Sequence, residues 1–172
     1  MFWRRAWSGL RHGPSTESAP VPAQETVAGL VAALEAASRR RLGRSLAIRH
    51  LDSGSCGGCE LEIRALGNVV YDLERLGLRF VASPRHADIL LITGPLTHNL
   101  REALLLTRDA MPEPAWIVAA GDCAVDGGVF KGSYAVQGGA GAALPVDLVI
   151  PGCPPSPRQM LTGLRALIEA NA

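Results

Sequence analysis

The sequence predicts an α/β fold: a doubly wound sandwich on a mainly parallel sheet, preceded by a helical N-terminal extension. Three observations carry this. Runs such as ILLIT at 89–93 and WIVAA at 116–120 are apolar but for the terminal Thr93, as suits strands buried on both faces. They alternate with segments of helical period, the order that gives parallel strands joined by crossover helices. A chain of 172 residues, 48% of them hydrophobic, can fill one core without disulfide staples. The arrangement expected is flavodoxin-like, with ligands at the carboxyl ends of the strands.

Taken in order, the body opens with a strand over Leu46–Leu51, followed by a helix over about 59–76 and strands over Arg79–Ala82 and Ala87–Thr93. A helix over about 98–110 leads to a strand at Trp116–Ala120. A strand ending Leu144–Ile150 precedes a last helix over about 156–170. Residues 121–143 hold seven glycines and little periodicity, which reads as a long, functional loop. No internal repeat is present.

The extension divides at a linker rich in Pro, Ser and small polar residues over 13–24. Before it, Trp3, Trp7 and Leu10 share one helical face with Arg4, Arg5 and Arg11 interleaved, a pattern suited to a membrane edge or a partner groove, or to a simple terminal tail. After it, Thr26 can cap a helix with Val27, Leu30, Val31 and Leu34 on one stripe, ending at Arg39-Arg40-Arg41 near Gly43. We therefore divide the chain into an N-terminal arm, linker and helix over 1–44 and an α/β domain over 45–172.

Net charge is +1, but residues 1–50 carry eight Arg against three Glu, and residues 51–172 carry nine basic against thirteen acidic groups. Such a body does not suit nucleic acid. No apolar run of about 18 residues occurs, so no membrane span is expected. Arg4-Arg5 lacks the apolar stretch that a twin-arginine export signal needs next. The mean hydropathy of +0.17 suggests apolar surface reserved for a partner.

The chemistry lies in four cysteines. Cys56 and Cys59 follow the first strand, Cys123 follows WIVAAGD and Cys153 follows LVIPG, so three strand ends bring them to one sheet edge. Gly57, Gly58 and Gly152 allow close backbone approach to sulfur. Grouped thiolates need a cation, and either zinc or an iron-sulfur cluster would serve. One Cys-Gly-Gly-Cys clip plus two lone cysteines, the last followed by Pro154, leans towards the cluster. Four unrelated structural cysteines are the plain alternative.

CGGCELEI at 56–63, PRHADILLITGPLT at 84–97, AMPEP at 110–114, AAGDCAVDGG at 119–128 and VDLVIPGCPPSP at 146–157 resemble a known family. It is the small electron-transfer subunit shared by respiratory complex I, the NADH-quinone oxidoreductase, and the energy-converting membrane-bound NiFe hydrogenases. The resemblance covers residues 45–170. Complex I members carry two adjacent cysteines at the first position. The spaced pair here, followed by Glu60, resembles the hydrogenase branch, including the formate hydrogenlyase type.

The resemblance implies that Cys56, Cys59, Cys123 and Cys153 hold one proximal 4Fe-4S cluster. It also implies an oxidoreductase subunit that relays electrons, with no catalytic residue of its own. Expected partners are a large NiFe hydrogenase-like or complex I-like catalytic subunit, a ferredoxin-like iron-sulfur subunit and integral membrane subunits, at the cytoplasmic side of the cell membrane. Alternatives are the corresponding subunit of a quinone-reducing complex I and a zinc-stapled structural subunit. Glu60 suits a helix start or a polar contact towards the large subunit, and Asp122 either orients the Cys123 loop or caps it. His86 and His98 are read as surface or capping residues, and GGVFKGS around Lys131 lacks the phosphate-loop spacing.

Overall fold

The computed structural model describes Gly29 and residues 45–170. The expectations for residues 1–44, including the Trp3, Trp7 and Leu10 face and the Thr26 cap, lie outside the described residues apart from Gly29. The strands are β1 (Leu46–Asp52), β2 (Leu78–Phe80), β3 (Ile89–Thr93), β4 (Leu96–Thr97), β5 (Trp116–Ala120), β6 (Val136–Gly138) and β7 (Leu148–Ile150). The helices are α1 (Gly58–Ala65), α2 (Arg101–Asp109), α3 (Asp122–Asp126) and α4 (Pro157–Ala170).

Five strands form one sheet in the order β2-β1-β3-β5-β7, and every pairing in it is parallel. The chain runs outward from β1 to β2, crosses back to β3 and continues to β5 and β7, which is the doubly wound, flavodoxin-like order. ILLIT is buried at all five positions of β3. Alternate side chains of the sheet feed two cores. Leu46, Ile48, Ile89, Leu91, Val118 and Ile150 pack with Ile63 of α1 and with Met160, Leu161, Leu164 and Leu167 of α4. Leu90, Ile92, Ile117 and Ala119 pack on the other face with Leu104 of α2 and Ala124 of α3. The buried positions of α4 recur at helical spacing, as an amphipathic helix on a sheet requires.

Two sequence expectations change. The helix expected over 59–76 ends at Ala65, because Asn68 Oδ1 accepts the N–H groups of Val70 and Tyr71 and offers the backbone a turn instead. Only a short 3-10 turn follows, at Leu73–Leu76. The glycine-rich segment is not one loop either. It contains α3 and then β6, which pairs antiparallel with β4 in a second, two-stranded sheet. Strands of two or three residues leave too little alternation for a period to be visible in the sequence. Among the described residues no helix is long and apolar enough to cross a membrane.

Because Leu164 is fully buried between α4 and the sheet, Leu164→Ala is expected to destabilise the domain by about 2–5 kcal/mol. Leu106→Ala, at a position 61% exposed, should shift stability by less than about 0.5 kcal/mol. Denaturant unfolding of the two variants checks the contrast.

Candidate metal centre

Parallel strands place all their carboxyl ends on one edge of the sheet, and each cysteine leaves from such an end. Cys56 and Cys59 follow β1, with Cys59 in the first turn of α1; Cys123 begins α3 after β5; and Cys153 follows β7. Cys59 and Cys123 are buried, while Cys56 and Cys153 are exposed, and all four are free thiols. The expectation that three strand ends gather the four residues is thereby met in placement.

Contacts around the sulfurs leave little room for side chains. A Cβ on Gly121 would lie 2.7 Å from Cys59 Sγ, and one on Gly128 would lie 2.8 Å from Cys123 Sγ. Both glycines also have positive φ, 94° and 49°, so an L side chain there would be strained as well as crowded. Pro154, the neighbour of Cys153, and Cys56 Sγ both lie within 4.0 Å of a Cβ built on Gly58. The first and last cysteine loops therefore meet at that glycine.

Two loops are tied directly. Asp122 Oδ1 accepts the Gly152 N–H at 2.7 Å, and the Asp122 N–H donates to Gly152 O at 2.8 Å. This reciprocal pair fixes the segment carrying Cys123 against the one carrying Cys153. Of the two sequence readings for Asp122, the loop-orienting one matches the geometry.

Glu60 makes polar contacts from the first turn of α1. Ser55 Oγ donates to its Oε2 at 2.7 Å, and Thr93 Oγ1 donates to its Oε1. Thr93 has one hydroxyl proton and gives it to Glu60, so its oxygen accepts from His50 Nε2, 2.9 Å away. That assigns the Nε2–H tautomer to His50, whose Nε2 also lies 3.7 Å from Glu60 Oε1. Burial lowers the His50 pKa, against the opposing pull of Glu60 and Asp52. Sequence reasoning does not single out His50, Ser55 or Thr93. The signal it offers is a histidine next to an arginine in a strand that opens with three buried apolar residues.

Burial also pushes the Cys59 thiol up to about 11, with further contributions from the Glu60 carboxylate and from Cys123, Cys56 and Cys153. Burial raises Cys123 as well. The Val129 N–H donates to its sulfur and opposes that shift, while Cys153, Cys56 and Asp122 add to it. The four thiols are thus near enough to disfavour one another's ionisation, and a cation would reverse that penalty. They do not converge on one point: among the described residues no three His, Cys, Asp or Glu side chains stand close enough to hold a metal ion.

Other sequence candidates lie elsewhere. His98 Nδ1 is 2.7 Å from Gln137 Nε2 at the surface, His86 is exposed in a 3-10 turn, and Lys131 pairs with Asp126 at 2.9 Å. Large apolar side chains are exposed on the segments that carry the cysteines: Leu61 in α1, Val125 in α3, Val129 after it and Val149 in β7.

Residues 56–167 match the model of the family described as NADH ubiquinone oxidoreductase, 20 Kd subunit. Formate hydrogenlyase subunit 7 of Escherichia coli is 41% identical over 143 residues, 83% of this chain and 56% of that protein. This chain thus spans little more than half of that relative. A probable membrane-bound hydrogenase subunit of Pyrococcus furiosus is 43% identical over 76% of this chain and 78% of its own length. An NADH-quinone oxidoreductase subunit of a Geobacter species is 47% identical over 66% of each. Among solved structures, a chain of the membrane-bound sulfane sulfur reductase, an archaeal respiratory membrane complex, superposes with a TM-score of 0.65 at 32% identity. It covers 73% of this chain and 70% of that one. The chain belongs to the 20 kDa subunit family, the small electron-transfer subunits shared by complex I and the membrane-bound hydrogenase and formate hydrogenlyase lineages.

Proposed function

We infer that this chain is the electron-relay subunit of a membrane-attached NiFe hydrogenase-like complex of the formate hydrogenlyase type, holding one 4Fe-4S cluster on Cys56, Cys59, Cys123 and Cys153. The observation that carries the reading is the delivery of four thiols from three parallel strand ends to one edge. A cluster bound there supplies reversible one-electron transfer. The donor set fits it. In such a cluster each cysteine serves its own iron, and one Cys-Gly-Gly-Cys clip with two lone cysteines, the last followed by Pro154, suits that arrangement. The glycines against Cys59 and Cys123 keep the space beside those sulfurs free of side chains.

The chain's own residues hold and tune this site. Asp122 fixes two ligand loops relative to one another. The Val129 N–H favours the thiolate of Cys123, and Ser55 and Thr93 occupy the Glu60 carboxylate beside Cys59. Two exposed cysteines and the apolar side chains around them call for a cover, which the large catalytic subunit would provide. The hydrogenase-type matches extend over more of the chain than the complex I type, and the spaced Cys-Gly-Gly-Cys pair supports the same branch. The peripheral, cytoplasm-facing position and the ferredoxin-like and integral membrane partners belong to this reading.

Anaerobically purified complex should contain about four irons for this subunit and absorb broadly near roughly 400 nm, bleaching on reduction. Cys123→Ser should lose that signal, and one equivalent of zinc without a visible band would overturn the assignment. Asp122→Ala should shed iron faster than the parent, whereas Asp122→Asn, which keeps the accepting oxygen, should retain it; iron release to a chelator, followed over time, checks this pair. The chain should pellet with salt-washed membranes only when the membrane subunits are co-expressed, as fractionation with and without them would read.

A further inference from the structure

A cavity of about 410 Å³ lies beside the carboxyl ends of β1 and β2 and the last turn of α1. Arg49, His50 and Arg64 line it together with apolar Ile63, Phe80 and Val81. We propose that this cavity receives an Asp or Glu side chain of a partner subunit, bound by Arg49 and Arg64.

Charge is the first argument. Arg49 is half-buried in β1, and its Nε is buried with no hydrogen-bond partner. An unsatisfied N–H of a charged group is costly, and native structures seldom leave one without a purpose. The ion pairs of the described residues are His50–Glu60, Arg75–Asp72, Arg108–Glu113, Lys131–Asp126 and Arg165–Glu169, none of which uses Arg49 or Arg64. The carboxylate nearest His50 is already taken: Glu60 accepts from Ser55 and Thr93. Asp52 Oδ1 accepts the Gly54 and Ser55 N–H groups. His50 is committed to Thr93. Among the described residues, no acid pairs with the two guanidinium groups of the cavity.

Shape supplies the second argument. A guanidinium presents planar pairs of N–H groups that match the two oxygens of a carboxylate. Apolar walls from Ile63, Phe80 and Val81 suit the methylene stem of an acidic side chain better than a fully hydrated inorganic ion. Position is the third. Arg64 lies five residues after Cys59 on α1, about 7.5 Å along the helix axis. One short helix thus carries both a cysteine and a wall of the cavity, so a partner seated against α1 can contact both.

This inference rests on the reading that the chain works as a subunit. Lys131 is its only lysine, so Arg49→Lys or Arg64→Lys places a single new amine in the cavity. Carbodiimide treatment of the purified complex activates a carboxyl, the amine displaces the activating group as a urea, and an amide bond forms with net loss of water to the carbodiimide. Peptide mass spectrometry should find position 49 or 64 joined to an Asp or Glu of a partner subunit. Arg64→Glu should lower recovery of that partner in salt-washed pull-downs by about tenfold.

Intact co-purification with no inter-subunit amide at either position overturns the proposal and leaves the subunit reading standing. So does coupling only to this chain's own carboxylates, or a signal abolished by millimolar phosphate, which would mark a soluble-anion site. A chain that purifies without any partner overturns both.

Discussion

A parallel sheet has one chemical edge, and the placement of the site follows from that constraint. Because β1, β3, β5 and β7 run the same way, every loop leaving a strand end emerges on the same side. The cysteines are separated by 2, 63 and 29 residues in the chain, yet they need no long-range bending to meet. An antiparallel pairing of β7 alone would carry Cys153 to the opposite end. Parallel sheets in turn demand cover on both faces, which is why helices and strands alternate and why β3 is buried throughout.

Gathering thiols at that edge creates an electrostatic problem that the surrounding residues only partly solve. Burial and mutual repulsion keep Cys59 and Cys123 protonated in the chain by itself. Opposing this is one backbone N–H, that of Val129, while Glu60 and Asp122 add negative charge. Both carboxylates are nonetheless occupied, Glu60 by two hydroxyls and Asp122 by the Gly152 N–H. Their structural role explains why they are tolerated beside the thiols. On the proposed reading, ligation would release protons, and the metal would supply the compensation that the protein does not.

Legibility in the sequence follows the length and regularity of the elements. ILLIT and WIVAA announce buried strands because no charged residue interrupts them, and α4 announces itself through six buried positions at helical spacing. The end of α1 is hidden because the apolar period continues through Val69, Val70 and Leu73. The local competition from Asn68 is a side-chain event that a period does not record. The β4–β6 pairing is invisible for the opposite reason, being too short to show any period. At the site, the cysteines are legible because their flanking glycines and strand ends repeat. The hydrogen-bonded set of His50, Ser55 and Thr93 is not, since it joins residues up to 43 apart through geometry alone.

The distribution of exposure across the site decides what kind of protein this can be. Two of the four cysteines are buried and two are exposed, and Leu61, Val125, Val129 and Val149 stand in solvent on the same segments. A self-sufficient redox carrier would have to shield such a centre with its own chain, since exposure speeds oxidation and loosens control of potential. Here the sheet edge ends instead in a half-open rim. In β1, Arg49 has a buried donor with no partner among the described residues. Exposed apolar surface and an unpartnered buried donor are separate deficits, one of hydration and one of charge. A single partner lying along α1 would satisfy both, and that shared remedy makes the helix the natural axis of docking.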